Sequence, residues 1–104
     1  MSTKLAFLFV APPAVRGKHR CVISMDGVDL IVTGVKDYAE AVEETRALAA
    51  EGCAGIELCA GFGAAGVAAV AEAAGPGISI GVVRFDAHPA FGFVSGDTLF
   101  SRSA

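Results

Sequence analysis

The run Cys59-Ala60-Gly61-Phe62-Gly63-Ala64-Ala65-Gly66 joins a short apolar strand, Gly55 to Cys59, to an Ala-rich helix through a Gly-x-Gly-x-x-Gly turn. Glycine lets a backbone turn sharply and approach a ligand with no side chain in the way. The first N–H groups of the following helix are unpaired and carry partial positive charge. Gly61, Phe62 and Gly63 are therefore expected to bind a phosphate or carboxylate. The same pattern has a plainer physical use, because glycines also let a helix pack closely on a sheet. A dinucleotide is a further reading: Asp86 stands twenty positions after Gly66, the spacing of a ribose-binding acid. Only one strand follows the turn, which leaves little wall for a second nucleotide.

Other residue types near this turn could take part. Arg84 interrupts an apolar strand, and its guanidinium forks two bonds to an oxyanion, so Arg84 and Asp86 join the expected ligand set. Glu57 interrupts the preceding strand and could pair with Arg84 instead, since buried charges need partners. Cys59 sits where the helix dipole favours a thiolate, and His88 offers an imidazole on the next loop, so these two are the expected catalytic residues. Free cysteine is also a small core hydrophobe. His19, Asp86 and His88 make a thin set of metal ligands, and neither a metal nor a cofactor is expected. Asp97, in Ser95-Gly96-Asp97, reads as a turn residue.

Positioning these groups requires a sheet. Leu5 to Val10 is a continuous apolar run that reads as a strand buried on both faces. From Pro13 to about Ser24, Val15, Val22 and Ile23 fall on one helical face, which predicts a helix, although Gly17 weakens it. Asp26-Gly27 turns the chain into a strand over Val28 to Val35. Asp37 and Glu40 form a capping box for a helix that runs to Gly52. Gly55 to Cys59, Ala64 to Ala74 and Ile78 to Phe85 supply strand, helix and strand. The expected fold is α/β, a compact four-stranded parallel sheet in the order βαβαβαβ, with flavodoxin-like strand order 2-1-3-4 and a C-terminal loop tail from Asp86.

Composition bounds the function. At 104 residues the chain is expected to form one domain, 1–104. It is 54% hydrophobic and 18% charged, less charged than the ~25% usual in soluble domains, and so small a domain cannot bury that excess alone. A homo-oligomer is expected. No apolar run is long enough for a membrane span, and Leu5 to Ala11 reads as a strand rather than a signal peptide. The net charge of −3 and the scattered Lys and Arg argue against nucleic acid. Three cysteines without Cys-x-x-Cys spacing suit a reducing cytoplasm better than a disulfide framework.

The segments Lys18-His19-Arg20, Glu57-Leu58-Cys59-Ala60-Gly61-Phe62-Gly63 and Val82-Val83-Arg84-Phe85-Asp86-Ala87-His88-Pro89, with Ser95-Gly96-Asp97 after them, resemble a family of small bacterial proteins of unknown function. The resemblance runs from the first strand into the tail. It implies that these segments share one rim of the sheet and assigns no catalytic residue. The expected function is binding of a small anionic or phosphorylated metabolite at that rim; the alternative is a non-catalytic homo-oligomeric assembly or partner-binding protein with no small-molecule site, whose rim is closed by its Phe-rich tail.

Overall fold

The computed structural model describes residues 2–101. Strand β1 (Thr3–Val10) is followed by β2 (Arg20–Met25), β3 (Val28–Val35), α1 (Tyr38–Ala50), β4 (Gly55–Leu58), α2 (Ala64–Ala74), β5 (Ser79–Val82) and α3 (Gly96–Phe100). The five strands form one sheet in the order β2-β3-β1-β4-β5. β3, β1, β4 and β5 are mutually parallel, and β2 runs antiparallel to β3 at the edge.

The sheet thus differs from the expected one in strand count, in order and in being mixed rather than purely parallel. The cause is the segment 13–24, which is not a helix. Gly17 takes φ +85°, and the Val15 carbonyl accepts the N–H groups of both Lys18 and His19, which closes a turn. Arg20-Cys21-Val22-Ile23-Ser24-Met25 then runs extended. It returns through Asp26-Gly27, with Gly27 at φ +83°, so that Met25 pairs with Val28. Asp-Gly between two β-rich runs is a hairpin signature, and Gly27 takes the positive φ at the second central position, as in a type II turn. β5 also stops at Val82 rather than Phe85. β4 ends at Leu58, whose carbonyl takes the Val83 N–H as the last rung, and beyond it the chain has no strand to pair with.

Alternation along the strands divides the sheet into two faces. Ala6, Leu8 and Val10 of β1, Ile31, Thr33 and Val35 of β3, and Ile56 and Leu58 of β4 are buried under α1 and α2. α1 contributes Tyr38, Ala41, Thr45 and Leu48 to that core, and α2 contributes Val70. Asp37 caps α1 by accepting the Glu40 N–H at 2.9 Å, as its spacing predicts.

Glu44 of α1 is buried as well. It accepts from Arg16 Nε at 2.7 Å and from the Thr33 hydroxyl at 3.0 Å, a pairing that ties the β1–β2 connection to the helix layer.

The opposite face has no helix over it among the described residues. It presents Leu5, Phe7 and Phe9 of β1, Val28, Leu30 and Val32 of β3, and Cys21, Ile23 and Met25 of β2, in register across three strands. None of these nine is fully buried, and Ile23 and Met25 are about half exposed, at 49% and 52%. No helix of the described chain is long and apolar enough to cross a membrane.

Candidate functional site at the amino end of helix α2

The glycine turn lies at the carboxyl rim of the sheet, where β4 passes into α2. Gly63 is the N-cap residue of α2 and has no side chain with which to satisfy the open N–H groups. The tail supplies one. Asp97, in α3, accepts the Ala65 N–H on Oδ2 at 2.9 Å and the Gly66 N–H on Oδ1 at 3.3 Å. Oδ1 also accepts the Tyr38 hydroxyl at 2.9 Å, and the Tyr38 oxygen accepts the Gly63 N–H at 2.9 Å. A carboxylate of the chain itself therefore takes the place expected for an anion.

Burial works against the charge on Asp97. The Ala65 N–H, the Tyr38 hydroxyl, the Gly66 N–H and the more distant Arg84 outweigh it and hold the carboxyl below its usual value. Burial first, and the neighbouring carboxylate after it, push the Tyr38 phenol well above its usual value, despite the Gly63 N–H. Tyr38 is accordingly a neutral donor to Asp97.

The glycines fit this closure sterically. A Cβ at Gly96 would overlap the Gly61 carbonyl, and one at Gly63 would overlap the Asp97 carboxylate and the Ser95 hydroxyl. A Cβ at Gly66 would lie 2.5 Å from the Tyr38 ring. Aromatic packing continues the seal. Tyr38 stacks on the buried Phe62 at 5.6 Å between ring centroids and packs against Phe100, which meets Phe91. Where a loop tail is expected, Pro89–Phe91 forms a 3-10 turn. α3 follows, with Ser95 as N-cap accepting the Asp97 N–H.

The predicted site residues are only partly brought together. Gly61, Phe62 and Gly63 are buried beneath the tail. Arg84 pairs with Asp86 at 2.8 Å on an exposed loop, and Glu57, also exposed, is not its partner. Cys59 is half-buried, and its Sγ accepts the Gly61 N–H at 3.2 Å. His88 Nδ1 accepts the Ala90 N–H, which caps the 3-10 turn, and its ring stacks on Phe91 at 4.1 Å. Among the described residues no three of His, Cys, Asp and Glu converge as metal ligands.

Tyr38 and Asp97 are the site residues that sequence reasoning misses. Ser95-x-Asp97 ahead of Leu99-Phe100 has the form of a helix start, and that was the available signal. Two clefts of about 230 Å³ are present, one bordering this site and one apart from it. One, between α1 and α2, is lined by Tyr38, Val42, Ala65 and Ser101, and the other, at the end of β1, by Phe9, Pro13, Ala14 and His19.

The model of a family described as "Family of unknown function (DUF6506)" matches residues 3–98, nearly the whole chain, and the chain belongs to that family. No curated protein and no solved structure matches it.

Proposed function

We propose that this member of a family of unknown function is a non-catalytic assembly protein that docks a protein partner on its uncovered sheet face. The observation that carries the reading is the three-strand patch of nine apolar or thiol side chains, none of them fully buried and with no helix over them among the described residues. Isolated apolar side chains are normal on a surface, but a contiguous patch of this extent marks an interaction site. The closed rim points the same way, since the anion position on α2 already holds Asp97. Three free thiols suit a reducing compartment such as the cytoplasm.

Nile red binding tests the reading. If the wild-type protein is neither assembled nor bound by the dye, the face is not a docking surface. Val32→Lys should reduce whichever of the two is observed while preserving the folded circular dichroism spectrum.

A second reading has one observation in its favour: the N–H groups of Ala65 and Gly66 already hold an oxyanion. An anionic metabolite would take that place after displacing Asp97. Gly61, Phe62 and Gly63 would line it, Arg84 and Asp86 would move in from their loop, and Cys59 and His88 would be the reactive groups. Added phosphate would then raise the melting temperature of Asp97→Asn more than that of the wild type. Equal shifts, or none, would dismiss this reading.

A further inference from the structure

Resting on the docking reading above, we infer that the partner on the uncovered face is a second copy of this chain. The two sheets pack face to face about a two-fold axis that runs along the strands between β1 and β3.

The size of the face suits such a dimer. β1 and β3 are eight residues long. At ~3.3 Å per residue and ~4.8 Å between strands, the four strands from β2 to β4, of six, eight, eight and four residues, cover roughly 400 Å² of flat footprint per copy. Side-chain relief adds to that figure and brings the two faces together toward the lower end of the ~1,200–2,000 Å² buried by stable interfaces. Sheets that pack in this way sit ~10 Å apart with strands aligned to within ~30°.

Charge also suits a like partner. Across the five strands this face carries one charged side chain, Glu57 on β4, opposite Phe7 in register. Lys4 and Asp29 lie on the other face, where Lys4 Nζ donates to the Glu51 carbonyl at the end of α1. With the axis between β1 and β3, the two Glu57 side chains are about three strand spacings apart, ~14 Å, on opposite rims. Neither is then buried against the other.

Shape fixes where the axis runs. The face is stepped. β2, β3 and β1 present large side chains, with the Phe9 ring lying over Gly34, whereas β4 and β5 present Gly55, Glu57, Ser79 and Gly81. A two-fold along the strands between β1 and β3 sets β2 of each copy over β4 of the other. The large side chains of β2 then lie over the low β4 of the mate at each edge of the interface, and the large side chains of β1 and β3 meet at its centre. An axis across the strands would set the two Glu57 columns and the two bulky halves against each other.

Light scattering and Nile red binding on the wild type, Val32→Lys and Ile23→Lys test the inference. The expected wild-type mass is twice the 10.5 kDa of the chain. Either lysine should weaken association at least ~100-fold, because it strands a charge in an apolar interface, and should leave a folded monomer. Ile23 is half exposed in the single chain, so Ile23→Lys keeps the test valid should Val32→Lys misfold.

A wild-type monomer that binds Nile red, and loses it in the lysine variants, overturns the second copy and retains the docking face for another protein. A monomer that binds no dye overturns both. A dimer indifferent to both lysines places the contact elsewhere, on the free edge of β2 for example, and also overturns the inference.

Discussion

Asp97→Ala should undo the closure of the tail over α2, and the structure sets its cost. The substitution removes the acceptor of two N–H groups in the first turn of α2, a capping loss of about 0.5–2 kcal/mol. It also strands the Tyr38 hydroxyl, on a buried residue, without its acceptor, at about 1–3 kcal/mol. The two overlap, and about 2–4 kcal/mol is expected in total, or a melting temperature lower by ~10–25 °C in a domain of this size. Asp97→Asn keeps an acceptor oxygen but loses the charge, so it should fall between wild type and Asp97→Ala.

The folded Asp97 carboxyl lies below its unfolded value, so its stabilisation is present above the unfolded value of about 3.9. It is lost as pH falls through the lower folded value. The gap between wild type and Asp97→Asn should therefore be open near neutral pH and narrow in strong acid. Circular dichroism melts of the three proteins at both pH values measure this, with amide exchange at Ala65 and Gly66 as the local readout. If Asp97→Ala melts within about 2 °C of wild type and leaves both amides equally protected, α3 does not cap α2 and the closed rim is wrong.

Gly96→Ala should destabilise by about 1–3 kcal/mol, because the new Cβ meets the Gly61 carbonyl and forces the tail away; an unchanged thermal melt would contradict that packing. Cys21 is exposed on the single chain but lies on the uncovered face, so native wild type should alkylate there more slowly than Ile23→Lys does, by mass spectrometry; equal rates would leave that face open. Cys53 should react slowest of the three thiols, since it is buried and burial raises its pKa. Arg84→Met should not change the melting temperature measurably, because Arg84 and Asp86 form an exposed pair at 58% and 81% accessibility; a clear drop would show that Arg84 holds the tail.

Much of the fold is legible where local chemistry is decisive. The Asp37 cap, the run to Gly52 and the turn from β4 into α2 follow from spacing alone. Leu5 to Val10 is a strand as its apolar run predicts, but it is buried on one face rather than on both, because Leu5, Phe7 and Phe9 lie on the side with no helix among the described residues. The segment 13–24 is misread because Val15, Val22 and Ile23 satisfy a helical period by coincidence, while the Asp26-Gly27 turn that makes Arg20–Met25 a hairpin strand acts from outside it.

The site is legible in kind and not in occupancy. The glycines do mark a cradle for an oxyanion, but the oxyanion is supplied by Asp97, thirty-four positions after Gly63. No local pattern links those two positions. The apolar excess likewise announces surplus surface without saying that it gathers on one side of the sheet. That depends on both crossover helices packing on the same face.

An assembly protein of this kind must have that face covered in solution. Paramagnetic relaxation of methyl groups by a soluble nitroxide measures this directly. In wild type at hundred-micromolar concentration, the methyls of Leu30 and Val32 should be as shielded as those of the core residue Leu48, and should become accessible in Ile23→Lys. If Leu30 and Val32 in wild type relax as fast as the exposed Leu99, nothing covers the face, and the assembly account is contradicted.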